Sequence, residues 1–329
     1  MTQKNRVVTI TLNPAYDMTG ALADLKLGQV NQIQTGQINP AGKGINVARV
    51  LSDLGAQVTV TGFMGADNSA SFEQLFQDIN AQDQFVRIPG VTRTNVKLVE
   101  KNKRVSDINF PGIHVTTDDV DKLEITLFKL AKTHDYFVLA GSIPPGFPPE
   151  RCTAWIEKLQ RLGKKVFFDS SSDALKAGIV SEPWFIKPNI DELSQLMGQQ
   201  FNSVEECCSA LTSPNLINIE NIVVSLGEQG VIWLNQGQIL RAVPPKMNVI
   251  STVGAGDTFV AGFCWGVMQD MPKHDLLRFA TALSALAVTK INVGLDDDKT
   301  QSQIEGKTTV TEYDIACHQL NPDKRGEIR

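Results

Sequence analysis

Cysteine, histidine and long apolar runs are all scarce in this chain, and each scarcity removes a class of function. Five cysteines are scattered along it, at Cys152, Cys207, Cys208, Cys264 and Cys317. Their number is odd and their spacing suits neither a zinc site nor a disulfide framework, so buried free thiols are expected. The four histidines, His114, His134, His274 and His318, stand too far apart to form a metal motif. No apolar run approaches the roughly 18 to 20 residues that a membrane span needs. The apolar stretch within Met1 to Ile10 is too short for a signal peptide. Positive charge is not in excess either, since 31 Lys and Arg face 36 Asp and Glu for a net charge of −5. No nucleic-acid surface is suggested, and an anionic ligand would need a local cluster of positive groups. The expectation is a cytoplasmic protein with reduced thiols and neither a nucleic-acid nor a membrane partner.

What the 329 residues do contain is the composition of a globular protein, 42% hydrophobic and 20% charged, long enough for one large α/β domain or two ordinary ones. Short β-branched runs alternate with helical patterns. Arg6 to Leu12 reads as a strand, and Gly44 to Gly55 as a helix with Val47, Val50, Leu51 and Leu54 on one face. A strand at Gln57 to Phe63 and a helix at Ser69 to Asn80 follow. The alternation continues through Tyr136–Ala140, Trp155–Leu162, Lys165–Asp169, Trp184–Lys187 and Asn221–Leu226. Such turn-taking implies a parallel sheet covered on both faces. Met18 to Asn39 and Thr92 to Phe110 break the rhythm: they are polar and strand-like, with a hairpin turn expected at Lys101–Lys103, and read as a small separate sheet. Leu295 to Thr309 reads as a surface loop and Asn321 to Arg329 as a frayed tail.

Four short stretches carry chemistry. In Ser251-Thr-Val-Gly-Ala-Gly-Asp257 a glycine turn opens a helix, where free N–H groups and the helix dipole favour an anion. Asp257 is then either a charge that stabilises the helix N-terminus or a carboxylate placed beside a phosphate. Asn39-Pro-Ala-Gly-Lys-Gly-Ile-Asn46 also opens a helix, and Lys43 and Asn46 would offer a charge and an amide to a polar anion. It is not a Walker loop, because Gly44 stands where Ser or Thr should follow the lysine. In Lys187-Pro-Asn-Ile-Asp-Glu192, Asn189 and Glu192 share a helical face. They could hold the water shell of Mg2+ or simply form a capping box. Ser225-Leu-Gly-Glu-Gln-Gly230 ends a strand and reads as a hairpin or a nucleotide contact.

Together, and in this order, these elements resemble the ribokinase-like PfkB family of sugar kinases, over essentially residues 6 to 294. Thr9–Asp17, Ala41–Arg49, Thr92–Leu98, Gly141–Gly146, Phe168–Ser171 and Ser251–Asp257 are most similar to the branch that acts on sugar phosphates. The resemblance implies a single ribokinase-like three-layer α/β/α domain over residues 1–329. It would have a mostly parallel central sheet and a small projecting β-sheet lid formed by about 13–40 and 92–110. It implies ATP-dependent phosphorylation of fructose 1-phosphate to fructose 1,6-bisphosphate, with tagatose 6-phosphate or fructose 6-phosphate as alternative substrates. A sugar-phosphate sensor without turnover is the alternative from another class.

The same resemblance implies roles. Asp257 would be the general base, and Gly254, Ala255 and Gly256 would give the N–H groups that meet the transferring phosphoryl group. Asp17, Gly42, Lys43 and Asn46 would line the sugar site, with Arg93 on the sugar's phosphate and Ser142 assisting it. Lys187, Asn189, Glu192, Ser225, Gly227, Gly230 and Asn292 would face ATP, with Asn189 and Glu192 on its Mg2+. A homodimer through the lid sheet would cover the lid's apolar face.

Overall fold

The computed structural model describes residues 5–102, 104–170, 172–213, 216, 218–290, 293–295 and 298–313. Cys317, His318 and the C-terminal tail lie outside these residues, as do Asn292, Asp296 and Asp297. In chain order the first half holds β1 (Arg6–Thr11), β2 (Ala15–Leu22), β3 (Thr35–Ala41), α1 (Lys43–Asp53), β4 (Gln57–Gly65) and α2 (Ala70–Asp78). Next come β5 (Gln82–Asp83), β6 (Val86–Ile88), β7 (Thr94–Glu100), β8 (Val105–Ile108), α3 (Thr117–Leu130) and β9 (Tyr136–Ala140). The second half continues with α4 (Glu150–Arg161), β10 (Lys165–Asp169), α5 (Ser172–Ile179), β11 (Phe185–Ile186), α6 (Ile190–Met197) and α7 (Val204–Leu211). It ends with β12 (Asn221–Ser225), β13 (Val231–Asn235), β14 (Gln238–Val243), α8 (Ala255–Met268), α9 (Lys273–Ala287), α10 (Asp298–Lys307) and β15 (Thr309–Glu312).

The central sheet runs in the order β15-β14-β13-β12-β11-β10-β9-β1-β4-β5, with β6 also on β4. From β12 to β5 every pairing is parallel, and β13, β14 and β15 add an antiparallel edge. Both faces of the central strands are buried, and the period of two divides their side chains between two cores. Val8, Phe137, Leu139, Val166 and Phe168 pack with Leu123, Trp155, Leu193 and Val204 from α3, α4, α6 and α7. Val7, Val138 and Phe167 point the other way, onto Val47, Phe72, Phe263 and Leu277 from α1, α2, α8 and α9. This is a three-layer α/β/α fold with a mostly parallel sheet, as the sequence implied.

The second sheet is also present, with four strands in the order β3-β2-β7-β8. Its register explains its two faces. Ile38 pairs with Met18, Met18 with Val96, and Val96 with Ile108, so one apolar row crosses all the strands. The row beside it, through Asn39, Asp17 and Asn95, carries polar groups on the opposite face.

One expectation fails. The stretch read as a surface loop from Leu295 to Thr309 holds helix α10, and Thr309 starts β15 on the edge of the main sheet. Its run of polar residues masked the helix because, among the described residues, its one hydrophobic core anchor is Ile304, packed with Ala282, Ala285 and Leu286 of α9. The four cysteines among the described residues, Cys152, Cys207, Cys208 and Cys264, are free and buried, and burial raises each thiol's pKa. Among the described residues no helix is long and apolar enough to cross a membrane.

Candidate active site

A cavity of about 1360 Å³ runs between the small sheet and the carboxyl ends of the central strands. Open parallel sheets place ligands at that edge. Every nominated residue among the described ones lines it: Asp17, Gly42, Lys43, Asn46, Arg93 and Ser142 at one end, then Lys187, Asn189, Glu192, Ser225, Gly227 and Gly230 at the other, with Gly254, Ala255, Gly256 and Asp257 between. Asn292, nominated to face ATP, lies outside the described residues.

The floor is the start of α8. Gly254 is its N-cap in a left-handed conformation, φ +79°, which a residue with a side chain adopts only at a cost. A Cβ there would also lie 2.4 Å from Val293 Cγ2. The hydroxyl of Ser284 on α9 donates to the Ala255 carbonyl at 2.9 Å and ties the turn to the core. Ser251, whose role the sequence left open, accepts from the Val253 N–H at 3.2 Å and shapes the approach to the turn. Asp257 follows in the first helical turn, 6% exposed, and accepts from Asn46 Nδ2 at 2.7 Å. Burial raises its pKa to about 6, against the nearby Lys43, which lowers it. A carboxylate of that affinity is suited to take a proton near neutral pH.

Asn46 reaches Asp257 because α1 lies tight against β1. A Cβ on Gly44 would fall 2.4 Å from Thr11 Oγ1 and 2.9 Å from the Ile10 carbonyl oxygen, so only glycine permits this approach. Lys43, the first residue of the helix, lies 3.5 Å from Asp169 Oδ1, and Lys187 Nζ lies 3.6 Å from the same oxygen. Asp169 was quoted in the sequence pattern but given no role. Its position at the end of parallel strand β10 was the signal that could have found it.

Arg93 occupies the lid end. Its guanidinium donates to the carbonyls of Phe110 at 2.6 Å and Asn13 at 3.0 Å, and weakly to Ser142 Oγ at 3.4 Å. Carbonyls fix its orientation without neutralising it, and burial lowers its pKa while the charge of Asp17 raises it. Nearby, Asp17 accepts from Lys97 Nζ at 2.7 Å and from Asn95 Nδ2 at 3.3 Å. Lys97 and Asn95 had no assigned role, although the alternation of β7 places them on one face.

At the far end, Asn189 and Glu192 do form the capping box. Asn189 Oδ1 accepts from the Glu192 N–H at 2.8 Å, and Glu192 Oε2 accepts from the Asn189 N–H at 2.9 Å. Ser225 to Gly230 is a hairpin between β12 and β13, and Gly227 and Gly230 line the cavity at that turn. Val243, Pro244, Pro245, Met247, Val249 and Val288 give this end an apolar wall.

The pfkB family carbohydrate kinase pattern matches residues 2–300. The chain is 56% identical over 311 residues to the 1-phosphofructokinase of Vibrio cholerae serotype O1, covering 94% of this chain and 98% of that one. It is 43% identical to the 1-phosphofructokinase of Haemophilus influenzae, covering 93% and 98%. Among solved structures, phosphofructokinase-2 from Escherichia coli superposes with a TM-score of 0.83 at 26% identity, covering 92% of this chain and 98% of that one. The chain belongs to the pfkB family of carbohydrate kinases.

Proposed function

We propose that this protein transfers the γ-phosphoryl group of ATP to fructose 1-phosphate, giving fructose 1,6-bisphosphate. The observation that carries this reading is that one cavity joins a buried carboxylate at a helix N-terminus to an orientated guanidinium that, among the described residues, donates to neutral oxygens. Arg93 takes the phosphate already on the sugar, with Ser142 beside it, because a planar fork suits a phosphate's oxygens. Asp17, steadied by Lys97 and Asn95, accepts from the sugar's hydroxyls.

The hydroxyl to be phosphorylated lies against Asp257. The carboxylate accepts its proton as the oxygen attacks the γ-phosphorus, and ADP leaves with the electrons of the broken P–O bond. The N–H groups of the Gly254–Gly256 turn meet the negative charge that spreads over the transferring oxygens. ATP lies along the far end, with its base against the apolar wall and its phosphates toward Lys187. Mg2+ neutralises part of the charge on those phosphates when bound. Asn189 and Glu192 each spend an oxygen on the capping box, and among the described residues no group of three or more His, Cys, Asp or Glu could hold a metal. The donor set therefore fits an ion carried by the phosphates and their waters rather than a cage of protein ligands.

A homodimer through the lid belongs to the same reading. Ile38 is 57% exposed and Ile108 50%, at the two ends of the apolar row on the sheet face opposite the polar one. A second copy of that row would cover it and stiffen both lids.

The deciding measurement is kcat/KM with ATP on fructose 1-phosphate, fructose 6-phosphate and tagatose 6-phosphate side by side. The expected order puts fructose 1-phosphate first. A higher value on either of the others would replace the substrate, and ATP turnover indifferent to all three would favour a sensor.

A further inference from the structure

Asp169 is the least exposed charged group in the cavity, at 1%, and it is neither the proposed base nor a sugar contact. Its surroundings are unusual for a buried carboxylate. Among the described residues Oδ1 faces only the Lys43 and Lys187 ammonium groups, at 3.5 and 3.6 Å, and Oδ2 has no hydrogen-bond partner. A carboxylate kept to support the backbone would accept from N–H groups or hydroxyls, as Asp119 does at the start of α3. This one serves the lysines alone.

The two lysines reach it from opposite ends of the reaction. Lys43 starts α1, and its Cβ lies 3.7 Å from where a Cβ on Gly141 would stand, next to Ser142 and the Arg93 end. Lys187 follows β11 and is 6% exposed. Its Nζ lies 3.2 Å from where a Cβ on Gly256 would stand, so it abuts the phosphate-facing turn. Two ammonium groups at one point repel each other, and with Asp169 and Lys187 withdrawn from solvent that repulsion is screened less than it would be at a surface.

We propose that Asp169 is a positioning residue that pins Lys43 and Lys187 side by side, so that one buried carboxylate sets where both cations meet the two anionic substrates. It keeps the acceptor-side and donor-side charges in place before either substrate arrives, and it couples them. The titration behaviour agrees. Burial pushes Asp169 up, but Lys187 and Lys43 together outweigh it and hold the pKa below the usual carboxylate range, so it stays charged. Asp257, which also faces Lys43, Lys187 and Asn46, is pushed the other way, and the two carboxylates divide into a fixed anion and a proton acceptor.

The inference rests on the kinase reading but not on the choice of sugar phosphate, because its calorimetric readout, the binding of an ATP analogue, needs no sugar. Asp169→Asn keeps the shape and removes the charge. It should lower kcat/KM about 10- to 100-fold for ATP and for the sugar phosphate alike, the range for a lost charge-assisted contact. Lys43→Met should act mainly on the sugar phosphate and Lys187→Met mainly on ATP. The double variant Asp169→Asn/Lys187→Met should lose much less ATP kcat/KM than the product of the two single losses, because both act through one cation. Should Asp169→Asn not fold, the coupling is still read from Lys43→Met. Its dissociation constant for a non-hydrolysable ATP analogue, measured by calorimetry without sugar, should change at least about threefold although Lys43 is on the sugar side. Multiplicative losses in the double variant, an Asp169→Asn enzyme within about threefold of wild type on both substrates, or an unchanged analogue affinity in Lys43→Met would each overturn the proposal.

Discussion

At the floor of the cavity Asp257 and Asp169 are 6% and 1% exposed, whereas the side chains of Lys97 and Asp17 on the lid keep 17% and 21% of their surface. The floor is backbone and core: a glycine N-cap, a helix start tied by Ser284, and strands buried on both faces. The lid is a thin sheet whose polar face is set by side-chain contacts and whose other face is open. A preorganised, desolvated floor can stabilise charge as it develops, so its substitutions should appear in kcat. On the proposed reading the small sheet is a lid that closes on the sugar and pairs with a second copy, so its substitutions should appear in substrate affinity and in assembly.

Four measurements can break that division. The largest effect belongs to Asp257→Asn, which should cost about 10²- to 10⁴-fold in kcat while ATP binding survives. Near-normal turnover would remove the base from the floor. Next, Arg93→Ala should lower kcat/KM for fructose 1-phosphate about 10- to 100-fold and leave unphosphorylated fructose nearly untouched. Equal losses on both sugars would show that Arg93 only braces the lid.

The third is a pH profile. As the proposed base Asp257 acts in its carboxylate form, and with its pKa raised to about 6 activity should be full above that value and fall as pH drops through it. By pH 5 about a tenth should remain. The Asn46 hydrogen bond lowers that pKa, so Asn46→Leu should move the acid limb to higher pH. A limb that stays put would mean another group titrates. The smallest effect is expected from Ile38→Lys with Ile108→Lys. Sedimentation should show the proposed dimer giving way to monomer, with KM for the sugar phosphate rising severalfold and kcat changing little. A dimer that persists would move the interface elsewhere.

The layered fold was legible in the sequence because burial enforces a period. The strands Tyr136–Ala140 and Lys165–Asp169 have the bounds their β-branched and aromatic runs indicate. Helix α10 was not legible, because an amphipathic pattern needs several buried positions and, among the described residues, its one core anchor is Ile304. The glycine turns were legible for another reason. Gly254 and Gly44 sit where a side chain would be strained or would collide, so their spacing records the backbone directly.

The amino-acid order by itself determined the alternation of elements, the turn at Ser251–Asp257 and the capping box at Asn189 and Glu192, since each depends on residues within a few positions of one another. Tertiary structure alone decided that Lys43, Asp169 and Lys187 share one point, and that Asp17 answers to Lys97. These partners are brought together by sheet order and strand register. A carboxylate's partner and its proton affinity follow from what surrounds it in space, and no local spacing encodes that.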